Sequence, residues 1–220
     1  MIQVFLVDDH PIVRHGFTQL LSAEADLAVC GQAADARAAL EALTTVTPDV
    51  ITVDVSLGST SGIDLIRDLK QRLPRAAILV ISMHDELLYA ERSLRAGAAG
   101  YVMKHEPTDV ILRAIRTVAG GEIFVSSAVS SRLVQSWVSN GPPRGSSPLD
   151  SLSDREIHVL ELMGQGLGTR AIAEALHISV KTVESYRARL KEKMNLRTGT
   201  ELVRFAIRWA SDDHKRPSRS

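Results

Sequence analysis

Short apolar runs alternate with amphipathic stretches through the first 120 residues of the chain. Five runs are rich in β-branched residues without strict apolar–polar alternation, as is typical of strands buried on both faces. They lie at residues 4–7, 27–31, 50–53, 78–81 and 100–102. Between them, apolar residues recur every three or four positions, which predicts helices. These lie at residues 11–21, 35–43, 63–72, 87–96 and 107–119. Strand–helix alternation at this spacing predicts an α/β fold with a doubly wound, five-stranded parallel sheet.

The pattern changes beyond residue 120. A further helical stretch covers residues 127–138, and residues 139–148 (SNGPPRGSSP) combine helix breakers with small polar residues, as in an exposed linker. After it, four helices and no strand are predicted, at residues 153–164, 169–176, 180–194 and 201–210. Capping boxes at residues 153–156 (SDRE) and 198–201 (TGTE) mark two of these helix starts.

The chain is therefore predicted to hold two domains of different class. We expect the α/β domain at residues 1–122, a helix and linker at 123–150, an all-α four-helix domain at 151–211 and a flexible tail at 212–220.

The net charge of zero hides an asymmetry between these parts. Residues 1–150 carry 13 Lys and Arg against 17 Asp and Glu, a net charge of −4, and residues 151–220 carry 13 against 9, a net charge of +4. A basic second part suggests an anionic partner, although a chance imbalance of surface charge explains it equally well by itself. No apolar run approaches the roughly 20 residues that span a bilayer, and two acids interrupt the apolar start, so we expect a cytoplasmic protein.

Polar residues follow the predicted strands at the points where the strands end. Asp8 and Asp9 follow the first strand, Asp54 ends the third, Ser82 ends the fourth and Lys104 follows the fifth. Ligands of open α/β sheets bind at this edge. Three converging carboxylates require a cation such as Mg²⁺ among them, and an ammonium and a hydroxyl beside them suit a phosphoryl group. Each residue alone has an ordinary interpretation as a helix cap, turn residue or surface charge.

This set of residues resembles the receiver domains of two-component systems, over about residues 1–122. The resemblance implies a flavodoxin-like sheet in which Asp54 is the phosphoacceptor. It also implies a Mg²⁺ site formed by Asp8, Asp9, Asp54 and the backbone carbonyl of Ser56. Beside the phosphoryl group it implies a bridging ammonium, a switch hydroxyl and an aromatic side chain that turns inward with it, which are Lys104, Ser82 and Tyr101.

The loop after Asp54 departs from the receiver pattern. Receivers often have proline at the position of Gly58 and an apolar residue at that of Thr60, whereas Gly62 is retained. We therefore expect a looser loop over residues 56–61. Lys104 is followed by His105 where many receivers have proline, so no cis-proline is expected there.

The four-helix part carries a second ordered set of motifs. LSDRE at 152–156, GQGL at 164–167, LHIS at 176–179, TV at 182–183 and LKEKM at 190–194 resemble the output domain of NarL/FixJ (LuxR-type) response regulators over residues 152–210. The resemblance implies a helix-turn-helix whose second helix, 180–194, enters the DNA major groove. Its inward stripe would be Val183, Tyr186, Leu190 and Met194. The alternative is a solvated basic face on an amphipathic helix.

Within that helix, the resemblance divides the outward residues into two groups. Base-reading positions are Glu184, Ser185 and Ala188. The candidates for phosphate contacts, which set affinity without reading sequence, are Lys181, Thr182, Arg187, Arg189 and Lys191. Two departures are Tyr186, where histidine is usual, and Gly168, where a capping serine is common.

Together the two resemblances predict a two-component response regulator. A histidine kinase would phosphorylate Asp54 and thereby control homodimerisation and sequence-specific binding to double-stranded DNA, with Leu202, Ala206 and Trp209 as a dimer seam. One alternative is a phosphorylation-independent DNA-binding regulator whose receiver serves as a protein-interaction module. A second is a metal-dependent phosphatase, but such enzymes of the haloacid-dehalogenase kind carry an Asp where this chain has Ser56. We therefore expect no enzyme activity beyond slow hydrolysis of the phosphoaspartate.

Overall fold

The computed structural model describes residues 1–58, 60–138 and 148–213. The chain divides into two compact units, Met1–Gly141 and Pro142–Ser220. The predicted linker lies outside the described residues except for residue 148, and so do residues 214–220 of the predicted tail. No helix in the described parts of the chain is long and apolar enough to cross a membrane.

The first unit contains a five-stranded parallel sheet. Its strands are β1 Ile2–Val7, β2 Leu27–Ala33, β3 Val50–Val53, β6 Ala77–Ser82 and β7 Gly100–Met103. They lie in the order β2-β1-β3-β6-β7. The helices between and after them are α1 Pro11–Ser22, α2 Ala36–Ala42, α3 Gly62–Arg72, α4 Glu86–Ala96 and α5 Thr108–Ala119. Every predicted strand and helix of this sheet is present, with its ends shifted by at most two residues.

Both faces of the sheet are buried, as the unalternating apolar runs predict. On one face Leu6 and Leu79 pack in a cluster with Leu21 of α1 and Ile115 of α5. Successive side chains of a strand point to opposite faces, so the fully buried residues between them line the other face. These include Phe5, Ile51, Ile78 and Val80.

The loop after Asp54 contains a short antiparallel hairpin. Its strands are β4 Ser56–Leu57 and β5 Thr60–Ser61. Gly58 has φ 54°, which proline cannot adopt because its ring fixes φ near −65°. At Gly62, a Cβ atom would lie 2.0 Å from the carbonyl oxygen of Asp54. Glycine is therefore required where the hairpin closes against the strand end.

Residues beyond the predicted receiver end continue the first unit. The Tyr101 backbone N–H donates to the Phe124 carbonyl at 2.9 Å, and the Phe124 N–H donates to the Ala99 carbonyl at 3.0 Å. The next helix, α6 Ser127–Val138, is tied to α4. Ser126 Oγ donates to Glu86 at 2.8 Å, and Arg132 donates to the Leu87 carbonyl at 3.0 Å.

The second unit is all helical over its described residues. A 3₁₀ turn at Pro148–Ser151 precedes α7 Asp154–Gly164, α8 Thr169–Ala175, α9 Val180–Lys193 and α10 Gly199–Asp213. The helix α10 begins two residues earlier than predicted because Thr198 is its N-cap: Thr198 Oγ1 accepts the Glu201 N–H at 3.1 Å. It ends at Asp213, two residues beyond the predicted domain end at residue 211.

Two of the three residues of the predicted dimer seam on α10 belong to the core of this unit, and the third, Trp209, is half-buried. Leu202 and Ala206 are fully buried in this unit's own core, where α10 packs on α7. The two helices approach so closely that a Cβ atom on Gly164 would lie 2.7 Å from the Ala206 carbonyl oxygen. The apolar face of α10 closes the core that the three preceding helices leave open.

Candidate functional site

The predicted acidic residues converge with a lysine at the carboxyl edge of the sheet. Lys104 Nζ lies 2.5 Å from Asp8 Oδ2 and 2.7 Å from Asp54 Oδ2. All three side chains are at most 8% exposed. Burial by itself lowers the pKa of the Lys104 ammonium, but the charges and hydrogen bonds of Asp54 and Asp8 outweigh it and hold that pKa above its usual value. The edge therefore holds one buried ammonium between two buried carboxylates, which leaves a net charge of −1.

The predicted switch residues reach the same site. Ser82 is fully buried, and its Oγ donates to Asp54 Oδ1 at 2.8 Å. Tyr101 is buried in the inward orientation, and its hydroxyl donates to the His84 carbonyl at 2.8 Å. One oxygen of Asp54 thus receives a hydroxyl and the other an ammonium.

The carboxylates also fit a hard divalent cation. One ligand atom each from Asp8, Asp9, His10 and Asp54 lies within 4.8 Å of the others. Asp9 Oδ1 is buried without a hydrogen bond, although His10 Nδ1 lies 2.7 Å from it. Three carboxylates this close together are a donor set of the kind that Mg²⁺ or Ca²⁺ binds.

Two histidines at this edge were not predicted from the sequence. His10 contacts Asp9, and His84 Nε2 lies 2.5 Å from Ser56 Oγ. Each follows a strand-end residue by one or two positions, which was the available signal. A histidine in such a turn has no pattern that distinguishes a site residue from a surface residue.

In the second unit, α9 is built as the sequence predicts. Ser179 caps it by accepting the Thr182 N–H at 3.0 Å. Val183 and Leu190 are fully buried, and Tyr186 and Met194 are half-buried, which confirms the inward stripe. The exposed side carries Lys181, Glu184, Ser185, Ala188 and Arg189.

The remaining predicted DNA-contact residues are half-buried and partly engaged within the domain. Thr182 Oγ1 lies 2.7 Å from Ser179 Oγ, and Arg187 Nη1 donates to Thr169 Oγ1 at 2.6 Å. Lys191 is half-buried. On the exposed side, Ser185 Oγ donates to the Lys181 carbonyl at 3.0 Å, and the Arg189 guanidinium lies 6.0 Å from the centre of the Tyr186 ring.

An ion pair between buried Glu156 and exposed Lys193 links α7 to α9. Lys193 Nζ lies 2.7 Å from Glu156 Oε2, and the same oxygen accepts the Ser153 N–H at 2.7 Å, which completes the predicted capping box. Burial by itself raises the pKa of the Glu156 carboxyl, but the hydrogen bonds from Lys193 and Ser153 outweigh it and lower that pKa below its usual value. The sequence pattern predicts the cap but not the ion pair.

The comparisons with known proteins agree with both resemblances. Residues 4–116 match the family described as "Response regulator receiver domain". Residues 150–206 match "Bacterial regulatory proteins, luxR family". The chain belongs to the response regulators. A curated relative, the oxygen regulatory protein NreC of Staphylococcus aureus (strain bovine RF122 / ET3-1), is 36% identical over 211 residues, which cover 94% of this chain and 97% of NreC.

Solved structures of other response regulators share the fold. RcsB from Salmonella enterica serovar Typhimurium, bound to promoter rprA in the presence of the phosphomimetic BeF₃⁻, has a TM-score of 0.61 and 26% identity, covering 93% of this chain and 98% of RcsB. A two-component response regulator of the LuxR family from Aurantimonas sp. SI85-9A1 has a TM-score of 0.58 and 33% identity, covering 63% and 99%. The predicted fold class, a receiver sheet followed by a LuxR-type helical domain, is confirmed.

Proposed function

We propose that this response regulator is switched by phosphorylation of Asp54, which a partner histidine kinase carries out. Phosphorylation would control homodimerisation and sequence-specific binding to double-stranded DNA, and thereby transcription, in the cytoplasm. The observation that supports this most directly is the pair of bonds at Asp54, whose two carboxylate oxygens accept Lys104 Nζ at 2.7 Å and Ser82 Oγ at 2.8 Å.

The site has the groups that transfer to a carboxylate requires. The N–P bond of a phosphohistidine breaks while an O–P bond to Asp54 forms, which places new negative charge beside the existing carboxylates. Lys104 and Ser82 can donate to the phosphoryl oxygens because both already lie within hydrogen-bond distance of Asp54. The residues that would hold Mg²⁺ here are Asp8, Asp9, Asp54 and the backbone carbonyl of Ser56. When bound, Mg²⁺ supplies the positive charge that the clustered carboxylates and phosphoryl oxygens need.

The phosphorylated state would end by slow hydrolysis rather than by catalytic turnover. Water attack on phosphorus breaks the O–P bond and returns Asp54 and inorganic phosphate. Position 56 is a serine in this chain. Phosphatases of the haloacid-dehalogenase kind have their acid–base aspartate at that position. We therefore propose a switch with slow self-hydrolysis and no other enzyme activity.

A series of hydrogen bonds connects Asp54 to Tyr101. Ser82 contacts Asp54 directly, and the His84 N–H lies 3.4 Å from Ser82 Oγ. The carbonyl of His84 in turn accepts the Tyr101 hydroxyl. A phosphoryl group that draws Ser82 toward it would stabilise one arrangement of this segment and of the surface around α4.

DNA binding is proposed for the exposed side of α9. Glu184 can accept from a cytosine amino group and Ala188 can touch a thymine methyl, with Ser185 beside them. Phosphate contacts are assigned to Lys181, Thr182, Arg189 and Lys191. Dimers are proposed because two copies can read two half-sites, and a solved structure that resembles this chain, with a TM-score of 0.55, holds two RcsB dimers bound to two parallel DNAs.

The test compares the wild type with Asp54→Ala and with Asp68→Ala, an exposed aspartate outside the site. Each protein is incubated with radiolabelled acetyl phosphate in Mg²⁺ or EDTA and then used in genome-wide DNA capture. We expect labelling of the wild type and of Asp68→Ala only in Mg²⁺, with phosphate-enhanced capture of the same fragments. Asp54→Ala should lose both. If Asp54→Ala captures the same DNA with the same yield, the phosphorylation-independent alternative is correct.

A further inference from the structure

Arg187 lies on α9 but away from the side proposed to read DNA. At about 100° per residue, the exposed residues Glu184, Ser185 and Ala188 centre on one direction of the helix. Arg187 lies about 105° around the helix from that direction, on the side of the buried stripe that contains Val183 and Leu190, whereas Arg189 lies about 95° from it on the other side, away from that stripe. Its half-buried side chain is consistent with this place.

The guanidinium is held where two other helices begin. Nη1 donates to Thr169 Oγ1 at 2.6 Å, and Thr169 is the first residue of α8. Nη2 lies 3.9 Å from the position that a Cβ on Gly199, the first residue of α10, would occupy. The side chain therefore bonds α9 to α8 and lies beside the start of α10.

This bond acts far from the turn that connects α8 to α9. The two helices are joined by residues 176–179, where His177 has φ 51°. Thr169 is at the opposite end of α8, and Arg187 is two turns into α9. A hydrogen bond far from this turn restricts the angle between the two helices more than a bond close to the turn would. The same variation in bond length then corresponds to a smaller change in the angle.

The angle between these helices determines how α9 meets the bases. In a helix-turn-helix the first helix crosses the DNA backbone while the second lies in the major groove. Hydrogen bonds to base edges require the side chains to be held within about 0.5 Å of the productive geometry. Phosphate contacts made by flexible lysines tolerate a larger error.

We infer that Arg187 is a positioning residue for sequence readout: its hydrogen bond to Thr169 sets the orientation of α9, and its guanidinium is not a phosphate contact. This inference rests on the proposed DNA binding by α9. Arg189, two residues along the same helix, is the matched contrast. It is exposed, and its guanidinium lies over the Tyr186 ring.

The test uses the full chain and a duplex of about 30 base pairs taken from the fragment that the wild type captures most strongly, together with a scrambled duplex of equal length. The variants are Thr169→Val, Thr169→Ser, Arg187→Gln, the Thr169→Val/Arg187→Gln double variant and Arg189→Gln. Affinity for both duplexes is measured over a series of salt concentrations, and thermal unfolding checks that each variant folds.

We expect Thr169→Val, which changes no charge, to weaken binding to the captured duplex by about 10-fold, the equivalent of one hydrogen bond to a charged group. Binding to the scrambled duplex and the salt dependence should stay the same. Arg187→Gln should give the same loss and the double variant no more, while Thr169→Ser should retain wild-type discrimination. Arg189→Gln should weaken both duplexes equally and reduce the salt slope by about 0.9.

Two results would overturn the inference. One is that the wild type prefers the captured duplex and Thr169→Val binds both duplexes with wild-type affinity. The other is an Arg187→Gln variant that behaves as Arg189→Gln is expected to, with equal losses on both duplexes and a smaller salt slope. A wild type that binds the two duplexes equally removes the proposed function itself, and the inference with it.

Discussion

The acidic edge of the sheet and the exposed side of α9 fix their side chains in opposite ways. Asp8, Asp54 and Lys104 come from distant parts of the chain, are almost completely buried and bond to one another. The outward residues of α9 are neighbours in sequence and mostly exposed. A buried charge must have a partner, so the charged residue types at the sheet edge already indicate which side chains contact one another. An exposed cation on α9 needs no partner, so the position of its side chain depends on contacts with neighbouring helices.

The largest effect should come from removing the buried ammonium. Lys104→Met leaves the carboxylates of Asp8 and Asp54 facing each other, and breaking a buried ion pair costs about 3–5 kcal/mol. Lys181→Met, the exposed control on α9, should change the free energy of unfolding by about 0.5 kcal/mol or less. Urea unfolding in EDTA measures both. Added Mg²⁺ should stabilise Lys104→Met more than Lys181→Met, and equal losses in the two variants would remove the contrast.

Packing around two helical glycines should give alanine substitutions with opposite effects on stability. A Cβ atom on Gly164 would collide with the Ala206 carbonyl and with Ala210 Cβ at 2.8 Å. Gly164→Ala should therefore destabilise the second unit by about 3 kcal/mol. Gly16 in α1 is exposed with nothing near its Cβ position, so Gly16→Ala should stabilise the first unit by about 0.5–1 kcal/mol. Thermal unfolding distinguishes the two signs, and a stabilising Gly164→Ala would contradict the close helix contact.

The two capping boxes of the second unit allow a test by pH. Glu156 is buried and paired with Lys193, whereas Glu201 is exposed. A pKa lowered in the folded state means that the carboxylate stabilises the fold fully above its unfolded pKa of about 4.3. That contribution is lost as pH falls through the lower, folded pKa.

Glu156→Gln should therefore cost about 2 kcal/mol at pH 7 and flatten the loss of stability as pH falls below about 4.3. Glu201→Gln should cost less than about 1 kcal/mol at pH 7. Urea unfolding of each variant at several pH values provides the measurement. If the free energy of unfolding of Glu156→Gln falls as steeply at acid pH as that of the wild type, the Glu156–Lys193 pair does not contribute as described.

The smallest effect should come from the uncapped start of α8. Gly168 is the N-cap, no side chain caps the helix, and nothing lies within 4 Å of a Cβ position there. Gly168→Ser should stabilise the second unit by a few tenths of a kcal/mol. The thermal unfolding midpoint should rise slightly while DNA affinity stays unchanged. A lower midpoint would mean that the glycine has a role other than its cap.

Sequence patterns predicted the features that burial enforces. The unbroken apolar runs gave the strands, and the polar residues at their ends gave the set that meets at Asp54, because parallel strands end at one edge. The capping boxes gave helix starts within two residues.

The features that the patterns did not predict depend on packing between elements. The apolar face of α10 was interpreted as a dimer seam, since a periodic stripe does not distinguish a partner subunit from the domain's own core. Arg187 looked like any cation on a basic helix, because its direction depends on Thr169. The hairpin after Asp54 depends on the positive φ of Gly58. A glycine permits a positive φ but does not require one, so the residue type did not predict the hairpin.

The backbone pairing of Phe124 with β7 has a consequence for how the receiver can be isolated. A strand at the end of a sheet presents free N–H and C=O groups that invite another chain to pair with it. Phe124 occupies this margin at Ala99 and Tyr101. A fragment cut at residue 122, where the sequence pattern suggests the receiver stops, would leave these groups open and favour self-association, whereas one extended to Val138 would keep them covered.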